Sequence, residues 1–265
     1  YSVRFTEPGE YYEFTVDVVN KGTITGELKS INNVKGLTIE NKTLKMATSF
    51  YCVSKYVNGW KMLEKYSKKN YGVVYNLPDT KTLTVKKSCN QKLTVCCSGR
   101  IIIDKGFDLI TDVILSLEQK DFEFFILGDG SYLPIMKKRL AEYRNVNFTG
   151  YIEDVNSYLA RSDIFLHLSR HETLGNSIIE AGKYGLTVIA SNVGGIPEII
   201  GNNCGFLIEN CNPKQAISIL EELAKDKKKC KEVGNKLKKH IGIQFSELNN
   251  MNLLEDIYNK TAKNG

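Results

Sequence analysis

The chain has 265 residues, of which 42% are hydrophobic, enough to bury a core in one large domain or two smaller ones. Its net charge of +6 is modest, and no apolar run approaches the ~18 residues of a membrane span. The seven cysteines include no C-x-x-C pair, which disfavours a zinc site and a disulfide framework and favours a reducing, cytoplasmic environment.

The first part of the chain is weakly patterned. Within residues 1–39, only the stretch 11–19 alternates as a strand does, and the rest is rich in turn residues. A short helix from Leu44 is predicted next, followed by a strand at 50–54, a helix at 56–68 and a strand at 72–75. The segment 76–80 breaks this pattern, so we interpret residues 1–78 as a truncated remnant of an N-terminal domain, ending in a linker.

Strands and helices then alternate regularly. The predicted strands are 93–98, 122–127, 146–149, 164–168, 187–191 and 205–208, and the predicted helices are 107–119, 133–143, 155–160, 175–184, 196–200 and 213–225. Short apolar strands separated by amphipathic helices are typical of a parallel sheet covered on both faces. We predict an α/β, doubly wound, Rossmann-like domain over residues 79–240, with its ligand at the carboxyl ends of the strands.

The last part of the chain combines a lysine-rich stretch with a final helix. Lysines cluster between Lys225 and Lys239, and we interpret them as a solvated helix face. A patch for anionic lipid headgroups or nucleic acid is the alternative, but no aromatic residues interleave the lysines, so nucleic acid is not expected. Residues 246–260 predict an amphipathic helix whose apolar side consists of Leu248, Met251, Leu254, Ile257 and Tyr258. We expect residues 241–265 to pack back towards the N-terminal part.

The segment from Glu172 to Glu180 carries the strongest chemical signal. Its two carboxylates, eight residues apart, flank Gly175, which opens a helix between two apolar strands. A helix N-terminus offers free N–H groups and a partial positive charge, so phosphate is its natural ligand. Carboxylates hold sugar hydroxyls by charge-assisted hydrogen bonds. The segment therefore predicts a site for a nucleotide-activated sugar, unless Glu172 merely charges the helix and Glu180 is a solvated helix residue.

Two further loops at strand ends carry weaker signals. Arg100 and Lys105 follow the strand at 93–98, where a planar guanidinium and a point charge suit a pyrophosphate. Basic residues in such a loop can equally be solvated. The turn from Gly128 to Gly130 ends the strand at 122–127, and on its own such a turn only reverses the chain.

Taken in order, these motifs resemble a known family. They are Gly99-Arg100, Lys105-Gly106-Phe107-Asp108, Leu127-Gly128-Asp129-Gly130, Gly150-Tyr151-Ile152, Glu172 with Glu180-Ala181, Val188-Ile189-Ala190-Ser191, and Gly194-Gly195-Ile196-Pro197-Glu198. The series is similar to the C-terminal, donor-binding half of retaining GT-B glycosyltransferases of the GT4 family, also called glycosyltransferases group 1. The resemblance covers about residues 45–260 and rests on order, spacing and strand context together.

The resemblance implies roles for four charged residues. Arg100 and Lys105 would neutralise the donor diphosphate without a metal. Glu180 would hold the ribose hydroxyls, and Glu172 would lie beside the donor hexose. A fixed carboxylate and a fixed cationic pair would then stabilise the opposite charges that develop as the sugar–phosphate bond breaks.

The resemblance also implies contacts made by main chain and loops. Backbone N–H groups at Leu174 and Gly175 would complete the phosphate site, and Gly130 would belong to the donor-binding loops. The nucleobase would rest against the main chain near Tyr151 and Ile152. No cofactor is expected beyond the donor substrate, and no metal.

Two histidines near these motifs have no role assigned by the resemblance. His167 alternates with inward apolar residues, so we expect it to pack within or beside the sheet. His171 adjoins Glu172 and is placed to touch the donor.

The implied function is transfer of a hexose-type sugar from a nucleotide-diphosphate sugar to a glycan or lipid-linked acceptor, with retention of configuration. Such an enzyme serves polysaccharide biosynthesis and would work in the cytoplasm, in peripheral contact with the inner face of the membrane. The family's N-terminal domain, however, is of similar size and usually carries a catalytic histidine, whereas about 75 residues without histidine precede the linker here. The chain is therefore expected to be a fragment of a longer protein, or to depend on a separate chain that supplies the acceptor domain.

Two other activities remain open. The chain could be a non-catalytic nucleotide-sugar-binding module that acts only with a partner. The second alternative is a different GT-B-type reaction, such as epimerisation or phosphorolysis. The pairing of Arg100 and Lys105 with Glu172 and Glu180 argues against it.

Overall fold

The computed structural model describes residues 2–7, 10–19, 23–28, 49–78, 92–119 and 121–263. The chain divides into two compact units, Tyr1–Leu77 with Phe245–Gly265, and Pro78–Gln244. The short helix predicted from Leu44 lies outside the described residues. Within the described residues, no helix has both the length and the apolar character needed to cross a membrane.

The first unit contains a mixed five-stranded sheet. Its strands are β1 (Ser2–Glu7), β2 (Glu10–Val19), β3 (Thr23–Leu28), β4 (Ser49–Cys52) and β5 (Asn70–Val73), in that spatial order. The first three strands pair antiparallel, and β3, β4 and β5 pair parallel. The strand predicted at 11–19 is confirmed as β2, but the expectation that its surroundings are only turn-rich is wrong, because β1 and β3 hydrogen-bond to its two edges.

The helix predicted at 56–68 is interrupted. A short α1 (Lys55–Asn58), capped by the Ser54 hydroxyl that accepts from the Val57 N–H, ends at Gly59. A 3-10 helix (Lys61–Lys69) follows after the extended residue Trp60. The helix ends at Gly59 because glycine favours helix ends. The amphipathic pattern of the sequence continues across this break, which is why one helix was predicted.

The second unit is built on a six-stranded parallel sheet. Its strands are β6 (Leu93–Ser98), β7 (Phe122–Leu127), β8 (Val146–Gly150), β9 (Ile164–His167), β10 (Thr187–Ser191) and β11 (Phe206–Ile208). Its helices are α2 (Phe107–Ser116), α3 (Leu133–Arg139), α4 (Asn156–Leu159), α5 (Asn176–Lys183), α6 (Ile196–Ile200), α7 (Pro213–Lys225) and α8 (Lys227–Gln244). The spatial order β11-β10-β9-β6-β7-β8 confirms the predicted doubly wound α/β fold.

The core of the second unit lies against a sheet buried on both faces. Along β6, the residues from Leu93 to Cys97 are all buried, which explains its unbroken apolar run. Cys96 and Cys97 serve there as small apolar side chains, and burial raises the pKa of the Cys96 thiol to about 12. All six cysteines in the described part of the chain are free thiols.

Two helices of this unit are shorter than predicted. Helix α2 ends at Ser116 because Leu117 is extended, with φ −99° and ψ 149°, and its side chain is buried. Helix α3 ends at Arg139. In both cases the apolar pattern runs on past the helix, because the following segment also packs on the core.

The C-terminal helix α9 (Glu247–Lys263) belongs to the first unit. The Phe245 ring, just before it, lies 4.7 Å from the ring of Tyr75, and Asn250 donates to the Tyr75 carbonyl. Ile257 is buried, whereas Leu248 and Met251 are 68% and 65% exposed. The apolar side predicted for this helix is therefore only partly covered.

Candidate active site

The strand order places two loops side by side. Chain order runs outward from β6 through β7 to β8 and then crosses to β9, which pairs with the other edge of β6 through Val95 opposite Ile164. In open parallel sheets, ligands bind where the order reverses, outside the carboxyl ends of the strands. The loops that leave β6 and β9 there carry Lys105 and Glu172, respectively.

An ion pair joins these two loops. The Lys105 Nζ lies 2.8 Å from the Glu172 Oε2, and it also reaches the His171 carbonyl at 3.4 Å. The side chains of Lys105 and Glu172 are only 21% and 15% exposed, so water screens this pair less than a surface pair. The structure thus brings together two of the predicted site residues that are 67 positions apart in the sequence.

His167 also contacts the glutamate. It is 6% exposed and stacks on Phe165, with ring centroids 6.1 Å apart, as expected for a histidine packed in the sheet. Its Nε2 lies 3.4 Å from the Glu172 Oε2, which makes an ion pair when the imidazole is protonated. Sequence reasoning missed this contact. The signal that could have revealed it is that His167 is the polar residue of an otherwise apolar, buried strand and precedes Glu172 by five positions.

The surroundings of Glu172 keep it ionised. Burial alone would raise the pKa of this carboxyl, but the imidazole of His167, 3.4 Å away, and the charge of Lys105 outweigh burial. Together they lower the pKa of Glu172 from 4.5 to about 2. At neutral pH, Glu172 is therefore a largely shielded carboxylate, 15% exposed, that keeps its negative charge.

The stability of the fold should depend on this carboxyl in acid. Because the pKa of Glu172 is lower in the folded chain than in the unfolded one, its contribution is fully present above pH 4.5 and is lost as the pH falls towards 2. The shift corresponds to about 3 kcal/mol. Urea unfolding between pH 7 and pH 3 should show Glu172→Gln losing less stability than the unchanged chain. An equal loss in both would contradict the shift, and Glu118→Gln, at an exposed carboxylate, is the matched control.

Further contacts tie the two loops together. Arg170 binds the Asp108 carboxylate through both of its terminal nitrogens, at 2.6 and 2.7 Å, and its main-chain N–H donates to the Asp104 carbonyl at 2.8 Å. The Nδ1 of His171 lies 2.5 Å from the Asp104 Oδ1. The predicted donor-facing His171 is thus exposed and engaged with an aspartate, and the sequence reasoning assigned no role to Arg170. Such paired contacts hold the Lys105 loop in position.

The backbone of Glu172 is fixed from the next loop as well. Gly194, with φ +56°, approaches the Glu172 carbonyl so closely that a Cβ would lie 1.6 Å from the oxygen. Gly195 donates its N–H to the same carbonyl at 3.3 Å, and a Cβ on it would lie 2.4 Å from the Thr173 carbonyl. The Gly-Gly pair after β10 therefore serves a close backbone approach, which only glycine permits.

The helix after Glu172 begins beside that residue. Gly175, with φ +107°, is the N-cap of α5, and a Cβ there would lie 3.5 Å from the Glu172 Cγ. Leu174 is buried, and the Oδ1 of Asn176 is buried without a hydrogen-bond partner in the described part of the chain. Glu180 lies one turn further along α5, partly buried, and burial raises the pKa of its carboxyl.

The remaining predicted site residues lie in the loops at the same edge of the sheet. Arg100 is exposed in the loop after β6 and makes no hydrogen bond or ion pair with the described residues. Gly130 follows β7, where the Ile101 N–H donates to the Asp129 carbonyl at 2.8 Å. After β8, Tyr151 is 76% exposed and Ile152 is partly buried. Their roles in binding stay predictions.

The described residues contain no group of three or more histidine, cysteine, aspartate or glutamate side chains placed to hold a metal ion. Metal independence itself stays a prediction.

The fold is that of GT-B glycosyltransferases. A glycosyltransferase from Rickettsia africae superposes with a TM-score of 0.72 at 21% identity, covering 89% of this chain and 69% of that one. Anabaena Alr3699/HepE, solved with UDP-glucose, superposes with a TM-score of 0.70 at 17% identity, covering 86% of this chain and 68% of that one. At these identities the likeness establishes the architecture.

The sequence establishes the family. The chain belongs to the Glycosyl transferases group 1 family, whose model matches residues 80–240. The GPI3 subunit of phosphatidylinositol N-acetylglucosaminyltransferase from Saccharomyces cerevisiae is 29% identical over 157 residues, which are 54% of this chain and 35% of that protein. The O-antigen biosynthesis glycosyltransferase WbnH from Escherichia coli is 32% identical over 195 residues, which are 70% of this chain and 52% of that protein. The chain thus spans about a third to a half of these relatives.

Proposed function

We propose that the second unit binds a nucleotide-diphosphate sugar and that the protein transfers a hexose-type sugar, with retention of configuration, to a glycan or lipid-linked acceptor. The observation that carries this proposal is the partly buried Lys105–Glu172 pair at the point where the strand order reverses. Structural relatives support it, since Anabaena Alr3699/HepE was solved with UDP-glucose. A phosphatidylinositol N-acetylglucosaminyltransferase subunit and an O-antigen glycosyltransferase among the relatives support the acceptor classes.

The chemistry follows from the charges that develop during transfer. Cleavage of the sugar–phosphate bond makes the anomeric carbon positive and the leaving diphosphate negative. The ionised Glu172 would stabilise the first charge, and Lys105 with Arg100 would stabilise the second without a metal. The N–H groups at the start of α5, around Leu174 and Gly175, would add to the phosphate site.

The donor would displace part of the present pairing. Lys105 makes a 2.8 Å ion pair with Glu172, so a bound diphosphate would share or take over this cation. Glu180 would accept the ribose hydroxyls from its position one turn into α5. Partial burial raises the pKa of its carboxyl, so ionising it costs stability, which is typical of a residue kept for binding.

A nucleotide-sugar-binding module without catalysis of its own is the second candidate function. It is consistent with the location of the candidate site residues, which all lie in the second unit and account for donor binding alone. In that case a separate chain would supply the acceptor side. We place either activity in the cytoplasm, at the inner face of the membrane.

Calorimetry of the 265-residue chain against a panel of nucleotide sugars, without added metal, tests donor binding. We expect one of the nucleotide sugars to bind, and Arg100→Ala to abolish that binding, because the exposed guanidinium is free to engage the diphosphate. Glu180→Ala should weaken binding by about 1–3 kcal/mol, the range for a lost hydrogen bond to a charged group. Arg144→Ala and Glu142→Ala, at exposed positions, are the matched controls.

Two outcomes would count against the proposal. A folded sample that binds none of the nucleotide sugars would remove the donor site. Binding that survives Arg100→Ala and Glu180→Ala unchanged would move the site away from these loops. Binding without release of nucleotide, in the presence of acceptor and of any partner chain, would favour the non-catalytic module.

A further inference from the structure

The positive charge of this protein is concentrated on one helix. Helix α8 carries seven lysines and a single acidic residue, Glu232, so its formal charge is +6. The whole chain also has a net charge of +6, and the residues outside α8 therefore sum to zero. Such a concentration of positive charge attracts a negatively charged partner.

The packing of α8 turns this charge outward. One side of the helix is buried against the second unit through Cys230, Gly234, Leu237 and Ile241. The exposed lysines are Lys227, Lys228, Lys231, Lys236, Lys238 and Lys239. We call these six side chains the lysine face.

Little on the protein itself neutralises the lysine face. Lys228 lies 3.9 Å from Glu232, and the partly buried Lys229 pairs with Glu222 of α7. Lys231, Lys236, Lys238 and Lys239 form no ion pair or hydrogen bond with any other described residue. Four ammonium groups on one helix without an ion-pair partner among the described residues repel one another, so an external anionic surface would relieve that repulsion.

We propose that the lysine face docks the protein on a membrane surface that contains anionic lipids. Each lysine near an anionic membrane adds to the binding free energy without needing a defined contact geometry. Lysine suits this role because its side chain is flexible and its charge is a point charge. Ile243, 74% exposed at the end of the same helix, can enter the headgroup region.

Other partners fit the face less well. Single-stranded nucleic-acid sites combine basic residues with stacking aromatic rings or with arginine forks, and α8 contains no tryptophan, tyrosine, phenylalanine or arginine. A second copy of the chain would bring two like-charged faces together. A fluid anionic bilayer needs neither directional contacts nor stacking, so it matches what α8 offers.

This inference assigns a surface of the protein to the membrane contact included in the proposed function, and it does not depend on donor binding or on transfer. Docking would hold the protein at the surface where a lipid-linked acceptor resides, but it requires no donor and no turnover. Its failure would therefore leave the donor site untouched, and failure of the donor site would leave the docking untouched.

Vesicle sedimentation with the 265-residue chain and no nucleotide sugar tests the docking. The protein should pellet with vesicles of phosphatidylcholine and phosphatidylglycerol and stay in solution with phosphatidylcholine alone, and raised salt should release it. Changing Lys231, Lys236, Lys238 and Lys239 together to glutamine should lower the partition coefficient about 600-fold, since each lysine contributes about a fivefold factor.

A charge-matched variant separates the lysine face from net charge. Lys92, Lys137, Lys138 and Lys214 lie on the same unit outside α8, and changing all four to glutamine removes the same charge. This control should keep its vesicle binding, and circular dichroism should show both variants folded. An equal loss in the two variants, or no pelleting of the unchanged chain, would overturn the proposal. Binding of duplex DNA at physiological salt that is tighter than vesicle binding would also overturn it.

Discussion

Replacing Gly194 with alanine should destabilise the second unit by about 2–5 kcal/mol, one of the largest effects expected from a single added methyl group in this chain. Two costs add. The backbone at Gly194 has φ +56°, a conformation that side chains with L chirality disfavour. The new Cβ would also lie 1.6 Å from the carbonyl oxygen of Glu172, so one of the two loops must move. Urea unfolding monitored by circular dichroism measures the loss.

Substitution of a second glycine, Gly150, distinguishes the cost of backbone strain from the cost of the steric collision. Gly150 has a similar φ of +70°, but a Cβ there meets no atom within 4 Å. Gly150→Ala should therefore cost only the backbone term, about 1–2 kcal/mol. If both variants lose the same stability, the close approach between Gly194 and Glu172 does not exist in solution. Because the collision displaces Glu172, Gly194→Ala should also weaken donor binding in the fraction that folds.

The sequence predicts the second unit well because its signals are local. Continuous apolar runs closed by glycine or polar residues mark β6, β7 and β10, and their bounds are confirmed. Proline in the first turn marks the start of α6 and α7, which is also confirmed. A parallel sheet buried on both faces leaves little ambiguity in such runs.

The first unit is predicted less well because its strands depend on their partners. Residues 2–7 and 23–28 each carry only two apolar positions in alternation, Val3 with Phe5 and Ile24 with Leu28, and both segments pair with the longer, better-patterned β2. Strand formation there is a consequence of pairing, which no local window reveals. The break at Gly59 is a related case, since the periodicity of 56–68 continues while the backbone does not.

In the candidate site, the residue types could be predicted but the contacts could not. The strand–loop–helix pattern singles out Lys105 and Glu172, yet their 2.8 Å ion pair depends on β6 and β9 becoming neighbours. That adjacency is set by the strand order of the whole sheet. The contacts of His167 and Arg170 were missed for a similar reason. Arg170 binds Asp108 on another segment, and His167 meets Glu172 only because the chain turns between them.

Changing Glu172 to glutamine should lower the rate of sugar transfer by about 10²–10³-fold, the cost of removing one preorganised charge stabiliser. Glutamine keeps the size of the side chain and can still accept hydrogen bonds, so donor binding should be largely spared. What it removes is the negative charge that Lys105 and His167 hold in place and that would face the developing positive charge of the sugar.

The measurement is the initial rate of nucleotide release with acceptor present, in whatever form of the protein supplies the acceptor side, together with calorimetry of the donor. Glu142→Gln removes a carboxylate from an exposed position and should keep the rate of the unchanged protein. A Glu172→Gln variant that turns over at the normal rate would reduce Glu172 to a partner that positions Lys105. Loss of both binding and rate would mean instead that the carboxylate organises the cleft. Only loss of rate with binding retained assigns Glu172 to the transfer step, because a group that acts on the transition state alone leaves the ground-state complex intact.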